Sequence, residues 1–381
     1  MNVILEKKIC EAVKMRNIPI AKPLIGDEEI NAVVEVLKSG MLAHGKEVEA
    51  FEEEFAEYLG AKHGIAVMNG TVALDVALKA LKIGPGDEVI TTPFTFIASA
   101  NCILFQGAKP VFADIDPKTF NLDPNEVLEK ISDKTKAIIV VHLYGQPADM
   151  KAFTEIAEDY NLYLVEDCAQ AHGAEFEGKK VANFGHIAAF SFYPTKNITM
   201  GEGGMVVTND DELAKRAKLI RSHGQTKKYL HEELGYNFRT TNIAGAIGRI
   251  QLRKLDKWNS IRIKNAEMLT KGIEKIEGLT PPYVDPRVKH VFHQYVIRVE
   301  EEFPLSRDEL AQKLREKGIG TGIHYPMPVH WQPLYQKLGY PKDCCPNSID
   351  ASKKVLSLPV HPAVSGEDIS YILNSLEELS S

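Results

Sequence analysis

Apolar positions along this chain fall into two spacings, and the switch between them lays out its elements. Between 27 and 39, Ile30, Val33, Val34 and Leu37 recur three and four residues apart behind an acidic first turn. Gly40 follows, which predicts a helix over 27–39. Val48, Phe51, Phe55 and Leu59 repeat the pattern before Gly60 and predict a helix over 47–59. From there, short unbroken apolar runs take over. Strands are expected over 64–68, 88–92, 110–115, 137–142, 163–167, 188–193 and 205–208, with helices over 71–81, 97–105 and 150–160 between them. Runs this apolar belong to a sheet covered on both faces, and helical crossovers imply parallel pairing.

The remainder has a different texture. Residues 211–221 and 242–278 are helical and charged, the second run reading as a linking helix. A strand over 294–299 and helices over 305–317 and 367–379 follow. The expected fold class is α/β: a large domain on a mainly parallel seven-stranded sheet, with a smaller C-terminal α+β domain. The expected organisation is an N-terminal arm over 1–25, the large domain over 26–250 including the start of the linking helix, and the small domain over 251–381. No internal repeat or low-complexity tract is visible.

Composition narrows the function classes. A chain of 381 residues that is 44% apolar can bury a sizeable core. The net charge of −7, with no basic run carrying interleaved aromatics, points away from nucleic acid. At the amino terminus Ile4, Leu5, Ile9 and Val13 alternate with Glu6, Lys7, Lys8, Glu11 and Lys14, the pattern of a short amphipathic helix and not of a signal peptide. The apolar stretches are too short to span a bilayer. Five cysteines, two of them adjacent (Cys344 and Cys345), do not make a disulfide framework, so a reducing cytoplasm is the expected setting. The adjacent cysteines lack the spacing of a zinc site, no His-x-x-x-His or Cys-x-x-Cys pattern occurs, and no metal is expected.

The chemistry concentrates where strands end. Phe190-Ser191-Phe192-Tyr193-Pro194-Thr195-Lys196-Asn197 runs into Gly201-Glu202-Gly203-Gly204, and Asp167 closes the strand over 163–167. A lysine amine and a carboxylate, both at strand ends, are what a pyridoxal phosphate site needs: Lys196 for a Schiff base with the aldehyde, Asp167 to hold the pyridine nitrogen protonated. Alone, Lys196 is more often a solvated surface lysine, and a helix cap is the competing account of Asp167. Asn69-Gly70-Thr71 sits at a strand–helix junction, where free amides and the helix dipole favour phosphate; an ordinary cap is the competing reading. After the next strand come Phe94 and Phe96, of which Phe94 reads as core and Phe96 as the ring that stacks on a flat cofactor. Gln170 and His172 are placed to hold a ring hydroxyl or orient Asp167, with packing the alternative for His172. Ser191 is within reach of the phosphate, and Glu202 is expected to satisfy backbone in its turn.

The ordered set Asn-Gly-Thr, Pro-Phe-Thr-Phe, Glu-Asp-x-Ala-Gln-x-His-Gly, Ser-Phe-x-Pro-x-Lys-Asn and Gly-Glu-Gly-Gly resembles the DegT-type nucleotide-sugar aminotransferases, from about residue 20 to the carboxyl terminus. The resemblance implies fold type I and dependence on pyridoxal 5'-phosphate. It implies Lys196 as the Schiff-base lysine, Asp167 as partner of the pyridine nitrogen and Phe96 as the stacking residue. Gly70, Thr71 and Ser191 are implied at the phosphate and Gln170 at the ring hydroxyl. Gly235 to Asn242 resembles a segment that crosses a homodimer interface, which implies Asn237 at the neighbouring subunit's phosphate and Arg239 facing its substrate. Gly322 to Pro326 resembles a segment near the sugar nucleotide, which implies His324 and Tyr325 there.

The implied activity is transfer of an amino group from an amino acid, glutamate by expectation, to a nucleotide-linked keto-sugar. The run 192–204 resembles relatives that aminate C4, such as perosamine synthases, while phrases between 108 and 124 recur in relatives that aminate C3 as well, so C4 is favoured only slightly over C3. Related sugar 3-dehydratases carry histidine in place of the Schiff-base lysine, so Lys196 argues against that alternative. A cofactor-bearing regulatory protein without catalysis is the alternative of another class.

Overall fold

The structure is a computed structural model that describes residues 16–380. The amphipathic segment expected at the amino terminus lies outside the described residues. The central feature is a seven-stranded sheet built from β1 (His63–Val67), β2 (Glu88–Thr91), β3 (Lys109–Phe112), β4 (Thr135–Val141), β5 (Tyr163–Asp167), β6 (Ile187–Ser191) and β7 (Gly204–Thr208). Its order is β1-β7-β6-β5-β4-β2-β3. All pairs are parallel except the two made by β7, which runs against both neighbours. The mainly parallel seven-stranded sheet is therefore present as expected.

Both faces are covered, and the strand pleat shows it directly. Ile187 and Ala189 of β6 enter one core with helices α1 (Gly70–Ala80), α2 (Ala98–Phe105) and α3 (Asp211–Arg221). Ala188 and Phe190 of the same strand enter another, with Phe51 and Phe55 of the helix Lys46–Leu59. Because a strand turns alternate side chains to opposite faces, a sheet buried on both sides needs apolar residues at every position. That is why these segments read as unbroken runs.

A 32-residue helix, Asn242–Ile273, packs its first half on this assembly. Its last turns supply Ala266, Leu269 and Ile273 to a second core beneath a three-stranded antiparallel sheet of Leu279–Thr280, Tyr295–Val299 and Val355–Leu358. Helices Arg307–Glu316 and Gly366–Leu379 cover that sheet. The long helix stops short of the expected 278, and the chain turns at Gly278 with φ +77° against the backbone of Phe303.

The helix Asp27–Ser39 has the bounds its sequence predicts, but its apolar stripe does not face the core. Ile30 and Leu37 are each 52% exposed, whereas Glu29 is buried and receives hydrogen bonds from Gln251 and Lys254 at 2.8 Å. Met41 and Leu42 extend the same exposed surface.

Candidate active site

The carboxyl ends of β1, β2, β5 and β6 open on one edge of the sheet, and the loops that leave them wall a cavity of about 670 Å3. In an open parallel sheet this is where ligands bind, because strand order reverses there and the loops diverge. Of the residues singled out in the sequence, Gly70, Thr71, Phe96, Asp167, Gln170, Ser191, Lys196, His324 and Tyr325 all line it. Asn237 and Arg239 do not; both are exposed outside the cavity of their own chain.

One wall is the start of α1. Asn69 caps the helix, its Oδ1 accepting from the amide of Val72 at 2.9 Å. The amides of Gly70 and Thr71 have no acceptor within the helix, so they and the positive dipole end face the cavity. Two glycines let the backbone close up here. A Cβ on Gly70 would lie 2.6 Å from Ser191 Cβ, and one on Gly204 would lie 2.2 Å from the Asn69 carbonyl oxygen. Without side chains at both points, β6, β7 and the helix start pack into one anion-sized cradle with the Ser191 hydroxyl at its rim.

Asp167 ends β5 and is buried. Ser99 donates its hydroxyl to Oδ2 at 2.7 Å and the amide of Ala169 donates to Oδ1 at 3.1 Å. Burial pushes the carboxyl above its ordinary range; Ser99, the Ala169 amide and the Lys196 charge oppose this without cancelling it. A carboxylate held in this way calls for a cation from a ligand. Next to it, Glu166 is committed to structure. It pairs with His142 at 3.1 Å and accepts the amides of Ala182, Phe184 and Gly185. Burial would raise it too, but these donors prevail and its pKa is lowered.

Lys196 lies in the β6–β7 connection, its backbone tied to the Tyr193 carbonyl at 2.9 Å. Burial lowers its amine to about 8, against the pull of Asp167. A lysine so placed is partly neutral at physiological pH, the state a nucleophile needs. Opposite, Gln170 accepts the Tyr144 amide at 2.9 Å and donates to the Tyr325 hydroxyl at 3.1 Å, while Tyr144 donates its own hydroxyl to the His324 carbonyl. His324 and His293 also border the space. Burial and then the Lys196 charge depress both, His324 to about 4, so both rings are neutral. Phe96 is 56% exposed with its ring at the cavity, whereas Phe94 is fully buried, the division expected of the pair.

Two expectations resolve differently. His172 lies between Phe190 and Phe192 with neither ring nitrogen hydrogen-bonded, so packing accounts for it. The Glu202 carboxylate borders the cavity and makes no hydrogen bond to its turn. Ser99, His293 and Gln294 were not anticipated. Ser99 is one helical turn beyond Phe96, and only that spacing could have flagged it.

The residues present fit pyridoxal phosphate. A cradle of free amides suits its phosphate, an exposed aromatic face its ring, a buried and raised carboxylate its pyridinium nitrogen, and a depressed amine its aldehyde. A doubly covered parallel sheet that brings such a lysine and carboxylate to one cavity is the architecture of fold type I enzymes. The model of the DegT/DnrJ/EryC1/StrS aminotransferase family matches residues 23–377, and the chain belongs to that family, whose aminotransferases depend on pyridoxal phosphate. It is 46% identical to a "Pleiotropic regulatory protein" of Geobacillus stearothermophilus, over 92% of this chain and 94% of the relative. It is 40% identical to the dTDP-3-amino-3,4,6-trideoxy-alpha-D-glucose transaminase of Streptomyces venezuelae (91% and 90% covered) and to the GDP-perosamine synthase of Escherichia coli O157:H7 (96% and 100%). The crystal structure of S. venezuelae DesV with a ketimine intermediate superposes with TM-score 0.89 at 40% identity, covering 93% of this chain and 94% of that one. Among the described residues no helix is long and apolar enough to cross a membrane.

Proposed function

We propose that this aminotransferase moves the amino group of an amino acid, glutamate, onto a nucleotide-linked keto-sugar, at C4 of the sugar. The observation that carries the reading is Lys196 and the buried Asp167 on the walls of one cavity, beside the free amides of Gly70 and Thr71. The chemistry supplied by pyridoxal phosphate when bound is that of an electron sink, which makes a proton on the amino-bearing carbon removable. This chain's residues do the rest. Gly70, Thr71 and Ser191 hold the phosphate, Phe96 covers the ring, and Gln170 orients its hydroxyl edge. Asp167 keeps the proton on the pyridine nitrogen. In each half-reaction Lys196 would take the proton from the carbon that gives up the amino group and deliver it to the carbon that gains that group, a positioned amine serving as general base and then acid.

Support for C4 comes from the run 192–204 and from the perosamine synthase relative. The Streptomyces relative acts at C3 by its name, so C3 is the other arm of the test. We further infer a homodimer with shared sites: the exposed stripe of Ile30, Leu37, Met41 and Leu42 is an apolar face in need of a cover. In that dimer, Asn237 of each chain completes the other's phosphate cradle and Arg239 faces the other's substrate, with His324 and Tyr325 on the sugar side. The sites and partners together indicate a biosynthetic enzyme of amino sugars.

The name of the Geobacillus relative gives a regulatory reading a specific basis. Turnover separates the two. Purified protein is given glutamate with a 3-keto and a 4-keto nucleotide sugar, and 2-oxoglutarate and the amino sugar are measured. Sugar-dependent turnover is expected with the 4-keto compound, and borohydride should fix the cofactor to Lys196. Preference for the 3-keto sugar overturns the position. A reducible chromophore that persists in Lys196→Ala overturns the role of the lysine.

A further inference from the structure

Away from the active site, the tertiary structure brings together His330 and the adjacent pair Cys344 and Cys345. His330 sits in a short 3-10 turn, Val329–Trp331, and the cysteines immediately precede the helix Pro346–Lys354. One ring nitrogen of His330 and the two sulfurs all lie within 4.8 Å of one another. The histidine is completely buried, and so is Cys345; Cys344 is partly open to a second cavity, about 500 Å3, bordered by Lys130, Phe112 and Tyr340.

The imidazole's hydrogen bond decides what it can do. Nε2 lies 3.1 Å from the carbonyl oxygen of Lys342, which also accepts the indole N–H of Trp331 at 2.7 Å. A carbonyl only accepts, so Nε2 carries the hydrogen, and in the neutral ring Nδ1 is left as a lone pair. That lone pair is buried and has no hydrogen-bond partner. A backbone carbonyl holding one ring nitrogen while the other is left without a partner, on a ring set beside two thiols, is how metal-binding histidines are usually oriented. The sulfurs are 3.4 Å apart. Two thiolates on one tetrahedral zinc, each at about 2.3 Å, stand roughly 3.8 Å apart, so a few tenths of an ångström of adjustment suffices.

A second trio of similar groups, His142, Glu166 and Cys168, shows the contrast. There the imidazole is used on both sides, by Glu166 and by the Ala148 amide, and no lone pair is left over.

We propose that His330, Cys344 and Cys345 form a binding site for a thiophilic d10 cation of the Zn2+ class, its fourth position open to the adjoining cavity. Binding displaces the two thiol protons to solvent and clips the 3-10 turn to the start of the helix Pro346–Lys354, bridging the intervening residues 332–343. The spacing of the ligands in sequence does not announce the site, because the histidine joins only when that segment folds back on itself.

The test uses the reduced full-length holoenzyme, freed of metal and titrated with Cd2+. A thiolate-to-cadmium charge-transfer band should saturate at one equivalent per chain. It should disappear in Cys344→Ser, and His330→Gln should weaken binding at least tenfold. Zn2+ should raise the melting temperature of the wild type and leave that of Cys344→Ser unchanged. Cys344 is partly exposed, so the variant is expected to melt like wild type in EDTA; if it does not, Cys344→Ala is used for the same comparison. No band at one equivalent, or an equal band in the Cys344 variant, overturns the site.

Discussion

Ser99 Oγ donates to Asp167 Oδ2 at 2.7 Å, from a helix that starts after β2 to a carboxylate at the end of β5. The bond fixes the direction in which a buried acid presents its oxygens to the cavity. It also opposes the burial that raises the acid's pKa. In Ser99→Ala the carboxylate should be less readily ionised and less well aimed. Loss of one hydrogen bond to a charged group, about 1.5 kcal/mol, corresponds to roughly tenfold weaker cofactor retention. Equilibrium dialysis of pyridoxal phosphate against wild type and Ser99→Ala measures it; Ser99→Thr should retain most of the affinity.

Lys196 titrates near 8 in the cofactor-free protein, below its ordinary 10.5. Between those two values the folded chain binds fewer protons at this site than the unfolded chain. The stability contributed by Lys196 should therefore rise with pH from about 8 to about 10.5 and be flat below that window. Uptake of pyridoxal phosphate, which needs the neutral amine, should accelerate through pH 8. Asp167→Asn removes the charge that holds the amine up, so its midpoint should move to lower pH. Stopped-flow uptake rates across pH 6 to 10 (roughly the range over which the shifted amine titrates) would show no difference between the two proteins if the charges were uncoupled.

Arg221 is buried beside Glu52, donating to its carboxylate and to the Ala66 carbonyl at 3.1 Å, while the Ala66 amide donates to Glu52 at 2.8 Å. Burial raises Glu52, and Arg221 is the main restraint on it. Arg221→Met strands a buried acid and should cost about 3–5 kcal/mol in urea unfolding. Adding Glu52→Gln should recover part of that loss. Additive losses in the double variant would show that the pair is not coupled.

Leu37 and Ile30 belong to the exposed stripe on the helix Asp27–Ser39. If that stripe closes a dimer, Leu37→Asp should lower the sedimentation coefficient to that of a monomer. Activity should fall with it, since each site then lacks Asn237 from its neighbour, although Lys196 is untouched. A monomeric variant with wild-type turnover would remove the shared site from the proposal.

Much of the site was legible because its parts are local. A strand end, a glycine at a helix start and a lysine before a glycine turn each have a short-range signature, and Tyr163–Asp167 has the bounds its apolar run predicts. The helix Pro346–Lys354 and the strand Val355–Leu358 were not foreseen. That helix is polar over most of its length and is held in part by side chains from elsewhere, Arg298 bonding Asp350 at 2.8 Å. Periodicity cannot report an element whose partners are distant in the chain.

By itself, the sequence determined the alternation of strands and helices, the double covering of the sheet and the candidacy of Lys196 and Asp167, since periodicity and strand-end chemistry are properties of neighbouring residues. The tertiary structure decided what distance in sequence conceals. It supplied Ser99 to Asp167, turned His172 into packing, set the apolar stripe of the helix Asp27–Ser39 outward and brought His330 to the paired cysteines. Each of these depends on which surfaces meet once the chain has closed on itself, and burial and hydrogen-bond completion fix that for the whole molecule at once.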